Sequence, residues 1–367
     1  MALSRLGVYI EQSDERNCDG CLKEESVVGL STQKDIIKTK ADLQGVSLTS
    51  YKLFPPMSFA YVPDTSRRGD KVALAFNMTE ETYIISSIYV VFKVTKLEVL
   101  DPWYLFMFFN RPEFDRYARF NSWGSARETF NWEDMCDIEI ELPPLPIQQK
   151  FVDVYKAMVA NQQSYERGLE DLKLVCEGYI EDLRRKLPCE KIGKYIKACN
   201  ERNDNNLVTL FQGITVDHVF TDPKRIAEDS ENGSVVRTGQ FAFNKVMKAH
   251  NTKLPIALRE GADCVVSSSY QVFEVFNKEK LLPKYLLLWL NRTETERYAG
   301  FIAFGTTRDI FSFENLCEIA IPIPNIDIQQ SIVEIFEVYQ KRCSINIKMI
   351  SLIKDICPIL IKGSLEE

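Results

Sequence analysis

Hydrophobic positions along the chain follow two alternating regimes. Near the start, short β-branched and aromatic runs such as "GVYIEQ", "FAYV", "KVALAF" and "YIISSIYVVFKV" read as strands. Asp101-Pro102 then supplies a helix start, leading into "WYLFMFFNRPEFDRYARF". Alternation at Ile138, Ile140 and Leu142 predicts a closing strand that Pro143-Pro144 stops. Beyond the prolines the period lengthens to three and four: Ile147, Phe151, Val154, Met158, Tyr165, Leu169, Leu172, Cys176, Tyr179, Leu183 and Leu187.

The same succession then recurs. Strand-like "LVTLF", "QFAFNK", "LPIAL" and "CVVSSSYQVFEV" lead to Leu282-Pro283 and "KYLLLWLNRTETERYAGF", then to the alternation Ile319, Ile321, Ile323. A second long seam follows at Ile328, Ile332, Ile335, Val338, Ile345, Met349, Leu352, Ile356 and Ile359, with Pro358 predicting a kink or fraying near its end. Two helices of about 40 residues, each about 60 Å long, are expected. The economical way to bury both seams is an antiparallel pair, a coiled coil in which one chain imitates a two-fold dimer.

The recurrence is a duplication. Residues 100–149 and 281–330 align without a gap at an offset of 181, with 22 of the 50 paired positions identical. Earlier, Gly7, Tyr9 and Glu15-Arg16-Asn17 match Gly193, Tyr195 and Glu201-Arg202-Asn203, with small offset changes where loops differ. The expected organisation is α+β: a mixed α/β domain at 1–145, a long central helix at 146–188, a second mixed domain at 189–326, and a C-terminal helix at 327–367 that pairs with the first.

Composition narrows the function. Net charge is −7. Residues 1–145 hold 16 Lys/Arg against 22 Asp/Glu, and residues 189–326 hold 17 against 17. Any nucleic-acid surface must therefore be a local stripe or be completed by a more basic partner. The acidic and basic residues of the first 25 positions argue against a signal peptide, and no apolar run is long enough for a membrane span, so a soluble, cytoplasmic protein is expected. The ten scattered cysteines read as buried free thiols. Cys18-Asp19-Gly20-Cys21 has metal-ligand spacing but no second pair, and no metal is expected.

Catalytic signatures are missing: there is no phosphate loop, dinucleotide turn, H-E-x-x-H or G-x-S-x-G. Both histidines, His218 and His250, lie in the second half, which excludes a duplicated histidine-dependent active site. Recurrent polar features remain as candidates. Gly124-Ser125-Ala126-Arg127 and Gly305-Thr306-Thr307-Arg308 each place small residues and an arginine in a loop, suited to phosphate or to a local ion pair. The loops 64–71 and 246–253 are basic and divergent, as two readers of different base sequences require and as ordinary surface loops also are. The DNA-contact candidates are Tyr61, Arg67, Arg68, Lys71, Ser125, Arg127, Lys245, Lys248, Asn251, Lys253, Thr306 and Arg308, with Arg67 or Arg68 suited to guanine and Asn251 to adenine.

The runs "FAYVPDTSRRGDKVALAF…IISSIYVVFKV" and "VVRTGQFAFNK…CVVSSSYQVFEV", with "IELPPLPIQQKFV" and "IPIPNIDIQQSIV" opening the long helices, resemble the specificity subunit of type I restriction-modification systems. The likeness spans essentially the whole chain. Departures are mild: the first copy lacks the glycine kept at Gly239, and "PNIDIQQ" lacks the usual second proline and acid. The resemblance implies a non-catalytic reader of double-stranded DNA, each domain recognising one half of a bipartite site, with the helices setting the gap and docking two methylase subunits. Gln148, Gln149, Gln329 and Gln330 are the residues it suggests for docking. It further implies an adenine methylase partner using S-adenosylmethionine and restriction subunits using ATP and Mg, with no cofactor in this chain. A bivalent scaffold, or the specificity component of a type II-like system, is the alternative.

Overall fold

Nine helices follow one another among the described residues: α1 (Pro102–Phe109), α2 (Pro112–Phe120), α3 (Trp132–Cys136), α4 (Leu145–Lys186), α5 (Pro283–Leu290), α6 (Thr293–Ile302), α7 (Phe313–Cys317), α8 (Ile326–Asp355) and α9 (Cys357–Glu366). The structure is a computed structural model and describes residues 3–39, 41–65, 71–124, 127–204, 206–223, 233–247, 253–303 and 309–367. It divides into two units, Met1–Glu166 with Ile345–Glu367, and Arg167–Ser344. The first long helix runs its full 42 residues, but the second breaks at Ile356 into α8 and α9. Pro358 sits in the first turn of α9, where its missing N–H and fixed φ are tolerated but continuation of α8 is not.

The first unit is built on a four-stranded antiparallel sheet, in the order Ile10–Ser13, Val90–Val94, Ser58–Tyr61, Leu74–Phe76. Ile10 pairs with Val94, and Phe59 lies between Phe92 and Phe76. Period two then sorts the side chains. Phe59 stacks on Phe76 at 4.7 Å and on Phe92 at 5.0 Å, and Phe59 and Phe92 meet Phe109 of α1 edge-on. Ala60, Ala75 and Val91 face the other way, against Val28, Leu30, Phe54 and Ile85. Both faces are covered, which is why these strands read as continuous apolar runs.

The second unit repeats the register. Its sheet runs Ile196–Cys199, Tyr270–Val275, Phe241–Asn244, Ile256–Leu258, with Ile196 opposite Val275 and Phe241 between Phe273 and Leu258. Phe241 and Phe273 stack at 4.8 Å, while Ala242 turns toward Ile214, Val236 and Val266. In each unit the first strand pairs with the closing one: Leu3 with Glu141, and Cys189 with Pro322.

Several matched residues now acquire a reason. A Cβ at Gly7 would lie 2.7 Å from Cys136 Cβ, and one at Gly193 would lie 2.7 Å from Cys317 Cβ. The recurring glycines and cysteines are two sides of one close contact. Asn17 accepts from Leu22 N at 3.1 Å and donates to Leu22 O at 2.9 Å; Asn203 does the same with Val208 at 3.1 and 2.9 Å. Both close the loop after the first sheet strand.

The helices pack locally on their own unit. Gln162 of α4 donates to Asn346 of α8 at 3.0 Å, and Phe151 lies under Gly363 of α9, so the two segments run in opposite directions there. In the second unit Val175, Cys176, Tyr179 and Ile180 of α4 and Ile332, Ile335 and Phe336 of α8 line one small apolar cavity. All ten cysteines are unpaired, yet only Cys264 and Cys357 are buried, so the expectation of buried thiols holds for those two alone. Cys18, Cys21 and Cys189 are exposed because loops and unit edges carry them.

Candidate nucleic-acid interface

Two of the candidate loops of each unit share one base. After the strand Ser58–Tyr61, Val62 N donates to Ala73 O at 2.9 Å, Thr65 N donates to Glu128 O at 3.0 Å, and Asp64 bridges Thr129. Phe130 N closes the arrangement on Pro63 O at 2.8 Å. In the second unit Phe311 N donates to Lys245 O at 2.9 Å, and Val246 and Met247 pair with Ile310 and Asp309. The feet of the divergent basic loop and of the small-residue arginine loop are thus joined in both.

The first arginine loop is shaped by its glycine. Trp123 and Thr129 exchange backbone hydrogen bonds of 3.2 and 3.0 Å, and the chain between them must reverse. Gly124 does this at φ +147, where a Cβ would run into Arg127 O. No other residue fits there without moving the loop. Arg119 of α2 pairs with Glu128, and Arg127 and Trp123 of the same loop are both exposed, Trp123 at 66%. An exposed guanidinium and an exposed indole on one loop can grip phosphate and stack on a sugar or base. Phe120 and Phe301 are 75% and 86% exposed at the same repeat position, an aromatic pair that the alignment showed without revealing its exposure. Only the tertiary structure separates these phenylalanines from the core ones.

The expected contact residues distribute unevenly. Lys71, Arg127 and Lys253 are exposed and Lys245 is half-buried, with Lys253 4.0 Å from Asp217. Arg67, Arg68, Ser125, Lys248, Asn251, Thr306 and Arg308 lie outside the described residues. Tyr61 does not belong with them. It is fully buried, edge-on to Phe92 and Phe130 at 6.2 and 6.1 Å, and burial pushes its phenol well above the usual range. Its alternation with Ala60 puts it on the helix-facing side of the sheet, so it is a core residue.

The twin glutamines also split. Gln148 is fully buried: its Oε1 accepts from Asp101 N at 3.0 Å while Nε2 donates to Val99 O at 2.7 Å and Pro143 O at 2.8 Å. Gln329 repeats this with Leu282 N at 2.9 Å, Lys280 O at 2.7 Å and Pro324 O at 2.8 Å. Neither has a polar atom to offer a partner, and both are corrected from docking residues to internal ties between the start of the long helix and the turn that leads into α1 or α5. Gln149 and Gln330 are exposed and stay available.

Among the described residues no group of three or more His, Cys, Asp or Glu side chains could hold a metal ion. No helix there is long and apolar enough to cross a membrane.

Comparison with known proteins matches this geometry. Residues 238–355 fit the family model described as the type I restriction modification DNA specificity domain. No curated protein matches the chain. Among solved structures, the type I restriction-modification system S subunit from M. genitalium aligns with a TM-score of 0.56 at 10% identity, over 99% of this chain and 95% of that one. A chain from a structure of complex assembly and conformational transition of the type I R-M system aligns with a TM-score of 0.52 at 14% identity, over 99% and 98%. Residues 238–355 therefore carry a type I restriction modification DNA specificity domain, and the protein has the mixed α and β fold of a type I S subunit over 99% of its length.

Proposed function

We propose that this protein is the DNA-reading specificity subunit of a type I restriction-modification complex, itself without catalytic activity. Each unit reads one half of a bipartite site in double-stranded DNA. Helices α4 and α8, paired antiparallel, hold the two readers apart at a fixed spacing and carry two methylase subunits. The observation that carries this reading is a loop base that recurs in both units at the feet of loops whose sequences differ: Phe130 N to Pro63 O, and Phe311 N to Lys245 O. A shared base fixes register on the duplex while different loop residues select different bases. The methylase partner would supply adenine methylation with S-adenosylmethionine, and restriction subunits would add ATP- and Mg-dependent cleavage. The modest charge of the chain fits a protein whose partners share the grip on DNA.

Mapping methylated adenines in a host that carries this chain with a cognate methylase tests the reading. One split motif is expected. Exchanging residues 1–145 for those of a homologue should change one half of the motif and leave the other; a change in both halves, or in neither, refutes it. Replacing Arg67 and Arg68 by alanine should lower the slope of log K against log salt by up to about 0.9 per lost phosphate contact. DNA binding that is absent with the methylase present would instead favour a scaffold.

A further inference from the structure

The hairpins that enter each unit before its central strands, 28–38 and 213–221, share almost no residues, yet close with the same turn. In the first, Ser31 N donates to Asp35 O at 3.0 Å, Lys34 N to Ser31 O at 3.1 Å, and Gln33 N to Ser31 Oγ at 3.2 Å. In the second, Thr215 N donates to Val219 O at 3.0 Å, His218 N to Thr215 O at 3.1 Å, and Asp217 N to Thr215 Oγ1 at 3.3 Å. The fourth residue of each turn is left-handed, Lys34 at φ 65 and His218 at φ 61. Such a backbone is rare for a side-chain-bearing residue and persists where the surroundings hold it.

Both side chains are held at equivalent places. Lys34 Nζ lies 2.6 Å from Asp115 Oδ1 on α2, and His218 Nε2 lies 3.4 Å from Glu296 Oε1 on α6. Glu296 stands 181 residues after Asp115, the offset of the duplication. Lys34 and His218 also touch the strand that returns from the divergent loop. Lys34 Nζ donates to Val72 O at 3.3 Å, and Asp115 Oδ1 accepts from Val72 N at 3.1 Å. His218 Nδ1 lies 3.1 Å from Ile256 O, two register positions further along. Val72 directly follows Lys71, and Ile256 stands three residues after Lys253. The two side chains of each pair thus fasten hairpin, loop foot and helix together, and they are nearly closed to solvent, at 4% and 14% exposure in the first unit and 15% and 13% in the second.

Resting on the DNA-reading function above, we infer that Lys34–Asp115 and His218–Glu296 are positioning clamps, each fixing the foot of its unit's reading loop. Each pair ties together a left-handed turn residue, a carboxylate on the helix and a backbone carbonyl of the strand that returns from the loop. A side chain that acts through its own loop should change discrimination at one half of the DNA site and leave the other half alone.

The test uses the full chain assembled with its methylase, and duplexes bearing the mapped motif intact or with either half scrambled. The wild-type complex should discriminate against both scrambled halves. Glu296→Gln should lose second-half discrimination alone, and Asp115→Asn, which keeps an acceptor for Val72 N, should lose first-half discrimination alone. The half that is retained shows in each case that the complex is folded and assembled. Variants that discriminate as the wild type does, or that lose both halves together, overturn the clamps and leave the DNA-reading function standing. A wild-type complex that discriminates neither half overturns both.

Discussion

The buried amide of Gln148 provides the sharpest stability prediction. Truncation to alanine removes one acceptor and two donors, stranding Asp101 N, Val99 O and Pro143 O in a site with no solvent exposure. At about 1 to 1.5 kcal/mol for each stranded backbone group, the cost is about 3 to 5 kcal/mol. For a unit of this size each kcal/mol moves the melting transition by about 2 to 4 °C, so a fall of roughly 6 to 20 °C is expected. Gln149→Ala, one residue along and exposed, should stay within about 0.5 kcal/mol. Gln148→Glu keeps the acceptor for Asp101 N but turns a carboxylate toward two carbonyls, and should be as damaging as alanine. Calorimetry or denaturant unfolding of the three variants decides it. If Gln148→Ala melts with Gln149→Ala, or Gln148→Glu melts with the wild type, the amide is not the tie described.

Gly7→Ala forces a Cβ to within 2.7 Å of Cys136 Cβ and should destabilise the first unit by about 1 to 3 kcal/mol, read by urea unfolding. Gly168→Ala and Gly178→Ala in α4 meet nothing within 4 Å, and each should stabilise by about 0.5 to 1 kcal/mol in the same assay. Burial pushes the Cys357 thiol up to about 12 from its ordinary 9.0. Its folded-state value is raised, so its contribution is complete below pH 9 and is lost as pH climbs toward 12. Across that window Cys357→Ala should flatten the alkaline decline in stability by up to about 1.4 kcal/mol per pH unit, and a slope equal to that of the wild type contradicts it.

Some of the site was legible before folding because its signals are local. Gly124 recurs at Gly305 within a shared register, and a glycine followed by small residues and an arginine describes a tight loop without any knowledge of its neighbours. The hairpin clamps were not legible. Ser31 and Lys34 share no identity with Thr215 and His218, and the correspondence lies in backbone hydrogen bonds and a left-handed φ that several polar residues can adopt. The break at Ile356 was legible in Pro358, since a missing N–H acts wherever the proline sits.

By itself the sequence determined the duplication and the order of strands and helices, because side-chain period and turn residues act over a few neighbouring positions. Tertiary structure alone decided which polar groups point inward. Gln148 and Gln149 are the same residue in adjacent positions, and only the carbonyls of Val99 and Pro143, brought together by packing, make one a tie and leave the other free. Tyr61 is core and Phe120 is surface for the same reason: partners distant in sequence, and not the side chain's own chemistry, set what each can touch.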